Sequence, residues 1–177
     1  LLNGAKSGDL KAQYILGVKF LQGDGVGQDY EKAVFWLTKS AEQGHGESQY
    51  SLALRYILGQ GVAKNSEKAV ILLQKAAAQG ITDAEYSLAL RYSSGDGVPQ
   101  DYEKAVSLLA KASSKGDNEA AYFLVLIKAR QGDVAAKYMV AHKYYAGDGV
   151  EKDLIKALYW LRQAAEQGHM EAQYSLA

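Results

Sequence analysis

Apolar positions along the chain recur with a helical period, in segments of roughly a dozen residues separated by glycine-rich polar stretches. Two kinds of segment alternate. The first, helix A, carries a small residue, an aromatic, an aliphatic, another small residue and a second aromatic. These are Ala12, Tyr14, Leu16, Gly17 and Phe20, then Ser48, Tyr50, Leu52, Ala53 and Tyr56. The pattern returns as Ala84, Tyr86, Leu88, Ala89 and Tyr92, and as Ala136, Tyr138, Val140, Ala141 and Tyr144. The second, helix B, places Ala33-Val34 before Trp36-Leu37, Ala69-Val70 before Leu72-Leu73, Ala105-Val106 before Leu108-Leu109, and Ala157-Leu158 before Trp160-Leu161. Small residues on one helix admit the bulky residue of the next, so the pattern predicts tightly packed helix pairs. Asp29, Asn65, Asp101 and Asp153 stand where they can cap each B helix. Glu31, Glu67 and Glu103 follow in the first turn, on the favourable side of the helix dipole.

The glycines set the period. Gly8, Gly44, Gly80 and Gly116 lie 36 residues apart, and the same spacing separates Gly132 from Gly168. Within each full unit a G-x-G-V loop recurs at Gly23–Val26, Gly59–Val62, Gly95–Val98 and Gly147–Val150. The repeats run over 8–43, 44–79, 80–115 and 132–167, with a partial repeat at 168–177. A unit of this size cannot bury its apolar face alone, so neighbours must stack. The expectation is an all-α fold, an α-solenoid of antiparallel helix pairs with a 36-residue repeat, extending over residues 1–177 as one elongated domain.

The short unit 116–131 breaks the pattern. It opens like helix A (Ala120, Tyr122, Leu124) and closes like helix B (Ala129, Gln131, Gly132), without a G-x-G-V loop. It reads as one apolar helix with Tyr122–Ile127 as its buried face. Three consequences stay open: a reversed direction for the helices after it, a kink, or an exchange of A and B roles over 132–177. A three-repeat block and a shorter second block are expected to meet near Gly116–Gly132. The chain opens on Leu1 and stops inside an A-type helix; since terminal repeats need polar caps, it is expected to be part of a longer protein.

The endings A-A-x-Q-G (Ala77–Gly80, Ala165–Gly168), the start A-Q-Y-x-L (Ala172–Leu176) and the G-x-G-V loops followed by D-Y-E-K-A resemble the Sel-one-like repeat (SLR) family, a relative of the tetratricopeptide repeats with a longer unit. The resemblance covers essentially the whole chain. It implies a right-handed superhelix that binds other proteins, mostly in bacteria, and that is not an enzyme. Signalling, envelope, virulence and toxin-immunity roles all fall within the family's range, and periplasm and cytoplasm are both compatible. An architectural spacer within a larger protein is the alternative.

By analogy with the tetratricopeptide relatives, the partner would lie in the concave groove lined by the A helices. Val18, Leu54, Leu90 and His142 form one row there; Leu21, Ile57, Ser93 and Tyr145 form a second, with Leu58 beside it. Leu54 and Leu90 read first as core, whereas Ile57, Leu58 and Tyr145 suit core and partner contact equally. A basic row, Lys19, Arg55, Arg91 and Lys143, could steer an acidic partner; its alternative is surface pairing with Glu47, Asp83 and Glu119. The tyrosine row Tyr14, Tyr50, Tyr86, Tyr122, Tyr138 and Tyr174 buries rings with a hydroxyl left for recognition. Its alternative is packing between adjacent repeats.

Composition narrows the remainder. Twenty basic and twenty acidic residues leave no basic excess for nucleic acid or anionic lipid, so the expected partner is another protein or a peptide. No apolar run is long enough to insert in a membrane. The absence of cysteine excludes disulfides and thiolate metal sites. Three histidines without a paired nucleophile suggest no catalytic residues, and no cofactor is expected. Gly23-x-Gly25-x-Gly27 lacks the preceding strand of a phosphate loop. One aspartate per G-D-G turn falls short of a calcium site, so no metal is expected either.

Overall fold

The computed structural model describes residues 1–177 as eleven helices with no strand. They divide into two compact units, Leu1–Leu108 and Leu109–Ala177. The first holds α1 (Leu2–Lys6), α2 (Leu10–Gln22), α3 (Tyr30–Glu42), α4 (Gly46–Leu58), α5 (Ser66–Ala78), α6 (Thr82–Ser94) and the start of α7 (Tyr102–Ser114). The second holds the end of α7, then α8 (Asn118–Arg130), α9 (Val134–Ala146), α10 (Leu154–Glu166) and α11 (Met170–Leu176). Helices α2, α4, α6, α9 and α11 are of type A; α3, α5, α7 and α10 are of type B.

In the first unit α2 packs on α3, α3 on α4, α4 on α5 and α5 on α6, so A and B helices alternate along the stack. In the second, α9 packs on α10 and α10 on α11 in the same order. The turn from A to B is built by hydrogen bonds that the repeat spacing supplies. The cap residues Asp29, Asn65 and Asp153 accept from the backbone N–H of Lys32, Lys68 and Lys156 at 2.8–2.9 Å. Their own amides return to the carbonyls of Phe20, Tyr56 and Tyr144, the second aromatic of each A helix. That double tie closes the loop and turns the chain back on itself.

The small positions do what their spacing implies. In the first unit Leu37 and Leu73 are fully buried, and Ala33, Ala53, Ala69 and Ala89 have no exposed surface. A methyl group added to Gly17 would stand 2.8 Å from Leu37 Cγ, so the leucine occupies the space that a side chain on α2 would need. Leu37, Ala41 and Leu52 form a cluster flanked by Tyr14, Val34 and Tyr56, which links three successive helices.

A ladder of glutamine amides runs along the same joints. Gln13 Nε2 donates to the Ala5 carbonyl and Gln49 Nε2 to the Ala41 carbonyl, at 3.0 and 3.1 Å. Gln43 and Gln79 then donate to the side-chain oxygens of Gln13 and Gln49 at 2.7 and 2.9 Å. Gln13 and Gln49 are buried, so these bonds satisfy groups that water cannot reach.

In the second unit, α8 is a complete thirteen-residue helix and packs on α9. It therefore holds the place of a B helix ahead of an A helix. Its buried residues are Ala120, Tyr122, Leu126, Ile127 and Ala129, while Phe123, Leu124 and Val125 are half-buried. The expected continuous face over Tyr122–Ile127 is thus split at helical spacing, because a 3.6-residue turn cannot aim six successive side chains one way. Tyr122 and Tyr144 share a hydroxyl–hydroxyl hydrogen bond of 2.8 Å beside Leu126, Ala136 and Val140.

Candidate partner-binding surface

The expected groove residues fall into both units and have different surroundings. In the first unit Leu54, Ile57 and Leu90 are half-buried, and Leu58 is 51% exposed at the end of α4. In the second, His142 is exposed and Tyr145 is 62% exposed, with Lys152 Nζ 5.7 Å from the Tyr145 ring. Leu58 and Tyr145 are therefore apolar groups on A helices that the fold does not consume.

His142 and Tyr145, with Tyr138, form one wall of a groove of about 570 Å³ in the second unit. Leu154, Leu158 and Leu161 of α10 form the other wall, and Leu176 of α11 lies against it. The sequence pattern pointed to A-helix residues alone; the B-helix leucines belong to this groove as well. Their signal was present, since Leu161 occupies the position of Leu37 and Leu73. Leu161 is half-buried, whereas Leu37 and Leu73 are fully buried. A smaller cleft of about 230 Å³ lies between α3 and α5, with Leu52 and Tyr56 of α4 among its walls and Ile71 exposed.

The basic row has other partners than Glu47, Asp83 and Glu119. Lys19 pairs with Asp24 at 2.6 Å and Lys143 with Asp148 at 2.9 Å, and Arg91 pairs with Asp96. Each partner is the aspartate of a G-D-G loop, five residues on from its cation. The left-handed glycine that ends each A helix swings the loop back beside its last turn, which brings the aspartate to the cation. The Lys143 hydrogen bond holds the Asp148 carboxyl below its usual range. Asp96 is lowered first by the Ser66 hydroxyl and then by Arg91. Arg55 departs from the row: Gln60 stands where the others have aspartate, and its guanidinium carbon lies 6.0 Å from the Tyr30 ring.

Tyr14, Tyr50 and Tyr138 of the tyrosine row pack between repeats. Tyr14 lies 4.8 Å from the His45 ring and Tyr138 stacks on His169 at 4.4 Å, each histidine opening the next A helix. Tyr50 is hydrogen-bonded to Ser87 on the next A helix, and burial raises its pKa. The two histidines also cap those helices, His45 Nδ1 accepting from the Ser48 amide and His169 Nδ1 from the Ala172 amide. Each directly follows a turn glycine, Gly44 or Gly168. Tyr174, on the short α11, is 87% exposed.

No three His, Asp or Glu side chains gather as a metal ion would require. No helix is long and apolar enough to cross a membrane.

The profile of the Sel1 repeat matches residues 10–45, 46–81, 82–117 and 134–169, and leaves α8 between the third and fourth matches. Among solved structures, a protective antigen of uropathogenic Escherichia coli with an SLR fold is similar at 31% identity and a TM-score of 0.67, over 97% of this chain and 41% of that one. A Sel1 repeat protein from Oxalobacter formigenes is similar at 30% identity and a TM-score of 0.64, over 92% of this chain and 73% of that one. A sel1 repeat protein from Klebsiella pneumoniae follows at 26% identity and 0.55, over 97% and 93%. No curated protein matches the chain. This chain therefore spans less than half of the first of these structures. With four matched repeats over most of its length, in the 36-residue register that its glycines mark, the chain belongs to the Sel1 repeat family.

Proposed function

We propose that this chain is a non-enzymatic interaction scaffold that holds a peptide or domain of a partner protein on its A-helix surface. Sel1 repeats in general mediate protein–protein interaction. The observation that carries the finer reading is the open apolar surface on A helices in both units, Leu58 on α4 and Tyr145 on α9, beside residues already half-buried or lining a groove. Fully satisfied solenoid packing would not need a leucine at position 58, where the sibling repeats carry Gln22, Ser94 and Ala146. A docking surface does need one, because desolvated apolar anchors supply most of the energy of such contacts.

The test is capture of partners by the 177-residue chain and by I57S, L58S and Y145A variants. A specific partner held by the native chain and lost on substitution, with the helical content unchanged, supports docking on this surface. A partner retained by all three variants overturns it, and capture of none favours a spacer. The identity of the captured partner would then separate signalling, envelope, virulence and toxin-immunity roles.

A further inference from the structure

The repeats agree so closely that the places where one repeat differs can be read as a comparison within a single molecule. The cation near the end of each A helix is such a place. In three of four repeats it is neutralised by its own loop, through Lys19–Asp24, Arg91–Asp96 and Lys143–Asp148. In repeat 44–79 the cation is Arg55 and the loop residue is Gln60.

The surroundings of the two arginines differ as well. Asp96 sits between Arg91 and the hydroxyl of Ser66, the first residue of α5. The matching residue ahead of Gln60 is Tyr30, the first residue of α3, and the Arg55 guanidinium lies toward its ring. The ring offers a polarisable face but no negative charge. Burial lowers the Arg55 pKa. Its Nε is buried without a hydrogen-bond partner, as is that of Arg91. Arg91 has its carboxylate; Arg55 has none.

A second departure falls on the same helix. Leu58 lies three residues after Arg55 and so on the same side of α4. It is exposed, whereas residues 22, 94 and 146 at its position are polar or small. Ile57 and Leu54, both half-buried, extend the apolar surface. One helix thus pairs an unneutralised guanidinium with an open leucine, a combination that no other repeat has.

We propose that the end of α4 is a docking point for an acidic-apolar peptide segment of a partner protein, whose carboxylate pairs with Arg55 while a neighbouring apolar side chain covers Leu58 and Ile57. The inference rests on the scaffold reading and specifies the chemistry of the partner. Arginine suits the role because its planar fork matches a carboxylate in two parallel hydrogen bonds, and it carries less tightly held water than lysine.

The experiment uses the 177-residue chain and two matched arrays of short peptides. One array carries a central Glu flanked by Leu, Ile, Val or Phe; the other carries Gln in its place. The native chain is expected to bind the best Glu peptides roughly tenfold tighter than their Gln counterparts. Gln60→Asp gives Arg55 the internal carboxylate its siblings have, and is expected to erase that preference while melting no lower than the native chain. Arg55→Gln is expected to erase it too. Leu58→Ser is expected to weaken Glu and Gln peptides alike. Equal binding of the two arrays, binding of neither, or a Glu preference that survives both Q60D and R55Q would overturn the inference. Equal binding that is lost in L58S removes the acidic partner yet leaves the scaffold reading standing, because partner capture by the Ile57, Leu58 and Tyr145 variants decides that reading independently.

Discussion

At Gly61 and Gly97 only a hydrogen atom fits. All fourteen glycines at periodic positions have positive φ, and the four that lie off the period do not. Two of the fourteen meet a further demand. A Cβ at Gly61 would collide with the Tyr30 carbonyl, and one at Gly97 would lie 2.5 Å from the Ser66 carbonyl, so each loop rests on the first turn of the preceding B helix. Gly25 meets nothing. Gly25→Ala is expected to cost about 1–2 kcal/mol from left-handed strain alone. Gly61→Ala is expected to cost about 2–5 kcal/mol, since overpacking is added to that strain. Denaturant midpoints for the two variants would check the difference. The periodicity of these glycines was legible in the sequence, and with it the loops. Which glycine supports a neighbouring repeat was not, because close approach depends on backbone positions far apart in the chain. The cap aspartates make a second prediction. Asp29, Asp101 and Asp153 have pKa values lowered by hydrogen bonds from the residue three positions on. Since the folded pKa lies below the unfolded one, the stability they contribute is complete above the usual aspartate range near 3.8 and is lost as pH falls through the folded values. Melting temperature should drop between neutral pH and about pH 3. An Asp29→Asn, Asp101→Asn, Asp153→Asn triple variant, whose caps then resemble Asn65, should drop less.

The helix pair shows how burial is distributed along one element. Leu73 on α5 is fully buried, and Leu58 on α4 is largely open. Leu73→Ala should therefore cost about 2–5 kcal/mol, and Leu58→Ala no more than about 0.5 kcal/mol. Thermal or chemical unfolding of the two variants measures the contrast, and similar losses would show that Leu58 belongs to the core. The helices, their A and B types and their caps were readable because each rests on local spacing: small residues, aromatics and a capping side chain within one or two turns. The pairing of the basic row was not. Glu47, Asp83 and Glu119 each stand in the first turn of their helix, whereas the cations stand in the last turn of theirs. The loop aspartates are nearer once the chain has turned, and only the left-handed glycine before each loop hinted at that. Site residues were readable to the same degree. The A-helix face could be predicted from its register, whereas the wall that α10 adds beside Tyr145 follows from how α9, α10 and α11 pack.

Across the whole chain two compact units contain the same 36-residue device, and the short unit 116–131 supplies one complete helix to the second. There the Tyr122 and Tyr144 hydroxyls bond to each other beside Leu126, and burial together with Tyr144 raises the Tyr122 pKa. Tyr122→Phe or Tyr144→Phe alone leaves a hydroxyl unmatched and should cost about 1–3 kcal/mol. The double variant should cost less than the sum of the two, and a double-mutant cycle by chemical denaturation measures the coupling. The glutamine ladder has a different consequence, for how such a chain can grow. Gln13 and Gln49 address main-chain carbonyls, which every residue carries, and Gln43 and Gln79 address a side chain of their own type. The joint is therefore self-complementary: a tandem duplication of residues 44–79 would meet, at its new seam, the groups it already meets at the old one. Copying errors in the gene become extra length in the protein with no new interface to invent.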